Sequence, residues 1–138
     1  MEHETDAEAA RRRVERIYAG DQVARTLGIA LLEVTPGRVA VAMRVRPDML
    51  NAHGTAHGGY LFLLADTAFQ FASNAAEPDV VARSAQIEFL RPAFDADELT
   101  AVAEERVRRG RDAIYDIRIS RAGEVVAEMR GNSRALRR

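Results

Sequence analysis

The run Asn51-Ala52-His53-Gly54-Thr55-Ala56-His57-Gly58-Gly59, followed by Asp66, holds the residues of this chain best suited to chemistry. Gly58 and Gly59 stand where a long apolar segment begins. The start of a helix offers free N–H groups and the positive end of its dipole, and glycine there lets a ligand come close to the backbone. Such a helix start makes a cradle for a carbonyl oxygen that is acquiring negative charge. Asp66 lies inside the same segment, between Leu64-Ala65 and Ala68-Phe69. Burying an ionised carboxylate without partners is costly or forces its pKa upward, so Asp66 is either compensated by neighbours or used as a base or nucleophile. The plainer readings, a Gly-Gly turn and an aspartate that only fixes packing, stay open. The pairing of cradle and buried acid favours catalysis.

Eight residues separate Gly58 from Asp66, about 12 Å along one helix. Both cannot reach one reacting carbonyl from the same chain. If both serve one site, one of them comes from a second subunit whose helix runs antiparallel across a two-fold axis. That predicts a homodimer with two equivalent shared sites.

The elements that must hold these residues are legible from periodicity. Asp6 to Ala19 is rich in helix formers, with acids early and arginines late, and Gly20 is a stop. Asp21 caps a short second helix through Leu27. Ile29–Thr35 and Val39–Val45 alternate around Pro36-Gly37-Arg38 and read as a hairpin. Arg46 to Ala56 is a loop. Gly58 to Ala76 is a helix apolar nearly all round, hence buried on most sides, with Asp66, Gln70, Ser73 and Asn74 forming a narrow polar line. Extended segments follow at Val80–Leu90, Glu98–Arg108, Ala113–Arg121 and Glu124–Ala135, broken at Gly110 and at Ala122-Gly123. One long helix among antiparallel hairpins predicts an α+β fold, five to six strands packed on that helix. Residues 1–138 are expected to form one domain, with 1–27 as an N-terminal helical segment.

With 138 residues, 47% hydrophobic and 30% charged, the composition is that of a globular domain. A net charge of -1 offers no strong field for nucleic acid or anionic lipid. Cysteine is absent, which excludes disulfides and a thiol nucleophile and is compatible with a reducing cytoplasm. Met1 to Ala10 has no apolar core of a signal peptide, and no run is long enough to span a membrane. A cytoplasmic location is expected. All 20 basic residues are arginine, which reads first as codon bias.

Asn51-x-x-Gly54-x-x-His57-Gly58-Gly59 with Leu64-Ala65-Asp66 resembles the hotdog-fold acyl-CoA thioesterases, especially their phenylacetate-degradation (PaaI) branch. Leu27-Gly28-Ile29, Met49-Leu50-Asn51, Ala65-Asp66-Thr67-Ala68-Phe69, Phe89-Leu90-Arg91-Pro92 and Tyr115-Asp116-Ile117 extend the likeness over nearly the whole chain. The resemblance implies a long central helix wrapped by an antiparallel sheet, with dimers pairing into homotetramers. It implies Asp66 as nucleophile or general base, the Gly58 N–H as oxyanion donor, Asn51 positioning thioester or water, and His57 supporting the loop. It also implies phenylacetyl-type CoA substrates, particularly ring-hydroxylated ones, with no cofactor and no metal. Gly59, Thr67, Ser84 and Arg111 are the expected substrate contacts.

Other readings carry less. His53 and His57 with Asp66 invite a metal, but they lie in a glycine-rich loop rather than on one helix face. Ser84 follows the helix and could bring a hydroxyl toward Asp66; a surface serine is the commoner meaning. Arg108-Arg109-Gly110-Arg111 could meet CoA phosphates, against a solvated arginine-rich turn. Without a Gly-x-Ser-x-Gly elbow a serine triad is not expected. A non-catalytic acyl-CoA-binding or regulatory module would need no buried acid. A dehydratase would want a histidine base on a differently patterned loop.

Overall fold

In the computed structural model, which describes residues 3–136, the elements run α1 (Asp6–Gly20), α2 (Gln22–Thr26), β1 (Ala30–Thr35), β2 (Arg38–Arg44), a 3₁₀ turn (Pro47–Met49), α3 (Gly58–Ala76), β3 (Val80–Phe89), β4 (Glu98–Arg109), β5 (Asp112–Arg121) and β6 (Glu124–Ala135). The six strands form one antiparallel sheet in the order β1-β2-β4-β5-β6-β3. Three hairpins make most of it. Their turns use left-handed backbone at Gly37, Gly110 and the Ala122-Gly123 pair; two successive residues with positive φ match the twist of a tight hairpin. Between β2 and β3 the chain crosses from one side of the sheet to the far edge, and α3 lies in that crossing.

The sheet packs on α3 through alternate residues: Val39, Val41 and Met43 from β2, Leu99, Ala101 and Ala103 from β4, and Tyr115, Ile117 and Ile119 from β5 are all buried. Burial of side chains of this size stabilises by about 1.5–3 kcal/mol each. Small residues set how close the helix can come. A Cβ on Gly131 of β6 would lie 2.5 Å from the Phe69 ring, so that position admits only glycine while Phe69 stays where it is.

From the other side α1 lies against α3. Thr5 caps α1 by accepting from the Glu8 N–H at 3.1 Å, and Ala10 and Val14 are fully buried. Tyr18 meets Phe71 edge-on at 6.0 Å and donates its hydroxyl to the Ile29 carbonyl at 2.7 Å. Arg13 donates to the Asn74 and Ala75 carbonyls, both at 2.8 Å, and so satisfies the C-terminal end of α3.

α3 is buried on most sides, as its composition predicts, and one face stays open. Gly59, Phe62 and Gln70 are exposed and Asp66 is half-buried, and their spacing of three to four residues makes one open stripe. The polar line also divides, because Asn74 takes a different task from its neighbours. Its Nδ2 donates to the Val80 carbonyl at 3.0 Å and its Oδ1 accepts from the Val80 N–H at 3.1 Å, which fastens the start of β3 to α3. β3 is an edge strand exposed over most of its length. Among the described residues no helix is long and apolar enough to cross a membrane.

Candidate active site

The loop before α3 is held by its own backbone. The Asn51 N–H donates to the Thr55 carbonyl (2.8 Å), the Gly54 N–H to the Asn51 carbonyl (3.0 Å), the Ala56 N–H to the Ala93 carbonyl (2.8 Å) and the His57 N–H to the Met49 carbonyl (2.8 Å). Gly54 takes a positive φ of 79°, open to glycine at little cost. The Asn51 side chain closes the turn: its Oδ1 accepts from the His53 N–H at 2.9 Å, the Thr55 N–H at 3.2 Å and the Thr55 hydroxyl at 3.2 Å. With the carbonyl oxygen so occupied, Asn51 has only its Nδ2 donors to offer a ligand.

His57 is the N-cap of α3. Its Nδ1 accepts from the Gly59 N–H at 3.3 Å. Its carbonyl accepts from the Tyr60 N–H at 2.9 Å. The Gly58 N–H, between these two, has no partner among the described residues. The cap therefore leaves one N–H of the first helical turn available to an anion or a polarised carbonyl. The Phe89 ring, itself about half exposed, lies over this position, 3.1 Å from where a Cβ on Gly58 would be.

Asp66 sits two helical turns further along. It is half-buried and no described residue hydrogen-bonds to it or forms an ion pair with it; burial alone pushes its carboxyl above the ordinary carboxylate value. It opens into a pocket of about 190 Å3 between α3 and the start of β3, where Gln70 and Ser73 are the other polar walls. A carboxyl of this kind can take a proton from water or attack an electrophilic carbon. A larger concavity of about 570 Å3 lies on the outward face of the sheet. Its acids all have partners, Asp116 with Arg130 at 2.8 Å, Glu128 with Arg118 at 3.0 Å and Glu88 accepting from the Gln86 carboxamide at 3.1 Å, whereas Asp66 has none among the described residues.

The other residues singled out in the sequence fall as follows. Asn51, His57, Gly58 and Gly59 are gathered at the start of α3. Thr67 is buried, and its hydroxyl donates to the Leu63 carbonyl at 2.8 Å, away from any ligand. Ser84 accepts from Asn132 Nδ2 at 3.0 Å. It is paired with Asn132 on the outward face of the sheet, opposite the face that packs on α3. Ser84 is a surface serine. The side chain of Arg111, in the β4–β5 turn, has no partner among the described residues. The neighbouring Arg108 is committed to Glu77 and Glu105. Among the described residues no three potential ligands converge as a metal site would need. Phe89 belongs to a segment that carries the family resemblance, but nothing in the sequence placed its ring over Gly58, and the pocket wall at Val80–Ala82 carries no motif.

A profile of the thioesterase superfamily matches residues 53–128, which include His57, Gly58 and Asp66. The acyl-coenzyme A thioesterase PaaI of Escherichia coli K12 is 42% identical over 118 residues, 85% of this chain and 84% of that protein. The structure of the E. coli PaaI protein from the phenylacetic acid degradation operon superposes with a TM-score of 0.94 at 38% identity, covering 96% of this chain and 97% of the other. An Asn-to-Asp variant of the phenylacetic acid degradation protein PaaI from Thermus thermophilus follows with a TM-score of 0.81 at 39% identity, over 84% of this chain and all of the other. The architecture shared with these structures is the hotdog fold, a long helix wrapped by a six-stranded antiparallel sheet.

Proposed function

This chain belongs to the thioesterase superfamily, and from that premise we propose that it hydrolyses aryl-acetyl-type CoA thioesters, of the phenylacetyl and hydroxyphenylacetyl kind, to the free acid and CoA. The observation that carries the reading is the carboxyl of Asp66, unpartnered and opening into a pocket. A side chain kept only for packing would have neighbours that satisfy it.

In this mechanism the thioester carbonyl lies against the Gly58 N–H, and the Nδ2 of Asn51 donates beside it. As the carbonyl carbon becomes tetrahedral, its oxygen takes up negative charge that these fixed donors stabilise. Asp66 either removes a proton from the attacking water or attacks the carbon itself to form an anhydride that water then opens. Both routes end with CoA leaving as its thiolate and the acyl group as a carboxylate. His57 holds the donors in place by capping the helix.

The site is shared between two chains. Gly58 and Asp66 are about 12 Å apart along one helix axis, so the Asp66 of one protomer works with the loop of the other. The open stripe of α3 and the unpaired edge of β3 are the surfaces such a dimer would use. Val81 at 44% exposure, and Phe62, Phe89 and Leu90 beside them, supply apolar area, and a second β3 would satisfy the edge backbone. Pairs of dimers then form a tetramer, as the resemblance implies. No cofactor is required by this chemistry.

Thiol release from a panel of acyl-CoAs tests the proposal, with Asp66→Asn beside the wild type. We expect turnover strongest on the aryl-acetyl esters and a fall of about 10²–10⁴-fold in the variant. Binding of CoA esters with no turnover by the wild type would refute the enzymatic reading and leave a binding module.

A further inference from the structure

The backbone at Gly58 does not call for glycine. Gly58 lies in the first turn of α3 and takes no positive φ, so alanine would suit the helix there at least as well. What excludes a side chain is Phe89. A Cβ on Gly58 would lie 3.1 Å from Cζ of that ring and 3.4 and 3.6 Å from its two Cε atoms, so the tip of the ring fills the place a side chain would take. At Gly59 such a Cβ would meet only His57 Nδ1 at 3.6 Å, an ordinary contact. Of the two glycines, packing demands the first.

The ring is fixed from behind. Phe89 pairs with Ala127 of β6, and the Leu90 and Arg91 N–H groups both donate to the Val126 carbonyl, at 2.8 and 3.1 Å. Arg91 Nη1 donates to the Val125 carbonyl at 2.6 Å, and Arg121 Nη1 to the Pro92 carbonyl at 2.9 Å. Just beyond, the Ala93 carbonyl accepts from the Ala56 N–H at 2.8 Å. This segment thus meets both neighbours of His57, Ala56 through a hydrogen bond and Gly58 through the ring. Both contacts lie within one chain and hold whatever covers the outer side of Phe89.

We propose that Phe89 is a positioning residue of the oxyanion site, an apolar wall that stands in for the side chain Gly58 lacks and keeps water from its N–H. The inference rests on the thioesterase reading of the site and adds to it a reason why residue 58 is glycine. A donor beside hydrocarbon is poorly hydrated at rest, and its bond to a developing oxyanion gains from the low local dielectric. Phe89 exchanges no proton; it acts through Gly58.

Thioester hydrolysis is measured for wild type, Gly58→Ala, Phe89→Ala and the double variant, with light scattering to compare their oligomers. Phe89→Ala is expected to lower kcat about tenfold with KM within about twofold, a smaller effect than the loss of about 10²–10³-fold when a whole oxyanion donor is removed. Gly58→Ala, whose methyl must displace a fixed ring, is expected to lose about 10²-fold. In the double variant the methyl has room, so activity is no lower than in Phe89→Ala alone. If Gly58→Ala does equal damage with and without the ring, the glycine serves the substrate and the proposal falls. It falls also if Gly58→Ala is harmless on its own. Should Phe89→Ala not keep the oligomer, Phe89→Met repeats the cycle with apolar area retained and a flexible end that gives way. Exchange of the Gly58 amide with solvent, followed by NMR on glycine-labelled protein without substrate, tests the wall independently of turnover. It is expected to quicken about tenfold in Phe89→Ala, and an unchanged rate overturns the proposal. A wild type that hydrolyses no ester would sink the thioesterase reading, while the exchange rates would still decide whether Phe89 shields the N–H.

Discussion

Within one short loop, donors and acceptors are divided between holding the loop together and meeting a ligand. Asn51 gives its oxygen to the turn and keeps its N–H groups, while His57 occupies the Gly59 N–H and leaves that of Gly58. Asp66 is the complement of this arrangement, an acceptor with no donor among the described residues. The folded state holds its carboxyl above the ordinary value of 3.8 by desolvation, so its protonated form suits the fold and its ionised form does not. The contribution to stability is therefore present below the unfolded pKa and is lost as pH rises through the folded one. Asp66→Asn, which mimics the neutral form, is expected to melt above the wild type at neutral pH, with the difference vanishing once the pH falls below the ordinary carboxylate value. Melting curves across that range decide it; an advantage that persists in acid would mean that packing, not ionisation, is responsible. The sequence singled out Asp66 because an acid amid Leu64, Ala65 and Ala68 conflicts with burial. It could not reveal that Thr67 spends its hydroxyl on the Leu63 carbonyl.

The polar side chains of α3 divide between two tasks, and Asn74 does the fastening. Its carboxamide pairs with both backbone groups of Val80, a residue only 7% exposed, so removing it orphans a buried N–H and a buried carbonyl. Asn74→Ala is expected to cost about 1–3 kcal/mol in denaturant unfolding and to speed hydrogen exchange at the start of β3, the strand that walls the Asp66 pocket. Exchange unchanged at Val80–Ala82 would remove Asn74 from this role. The start of α3 was readable from Gly58-Gly59 and its extent from the apolar run to Ala76. Helical spacing also placed Asp66, Gln70, Ser73 and Asn74 in one line. Which of them faces a pocket and which a strand depends on where β3 returns, and β3 pairs with β6, some fifty residues further along the chain.

At the level of the molecule, the proposed mechanism takes its oxyanion donor and its acid from one helix, about 12 Å apart. A dimer in which each Asp66 serves the other protomer's loop makes a sharp expectation for mixed proteins. Asn51→Asp keeps the acceptor oxygen that closes the loop but replaces its donor with a charge. Asp66→Asn lacks the acid. Each alone is expected to be inactive, yet a heterodimer of the two contains one site with both defects and one with neither. Refolded together in equal amounts, half the dimers are mixed and half of their sites intact, so activity returns to about one quarter of the wild type. Activity no greater than that of the two parents summed would mean that the loop and Asp66 of one chain act together, and would sink the shared site.

Local order made much of this protein legible from its residues alone. Period-two alternation gave the strands and turn glycines gave the hairpins, a breach of burial drew attention to Asp66, and helical rise gave the separation from which a second chain is proposed. These depend on neighbours within a few positions. What only the tertiary structure decided depends on register and on distant pairing. Ala82 and Ser84, two residues apart, would share a face in a regular strand. A shift of register between them sets Ala82 opposite the buried Ser133 and Ser84 opposite the exposed Asn132, so the alanine lines the Asp66 pocket and the serine turns outward. One extra residue in an edge strand moves every later side chain to the other face, and no spacing in the sequence announces where that residue is inserted.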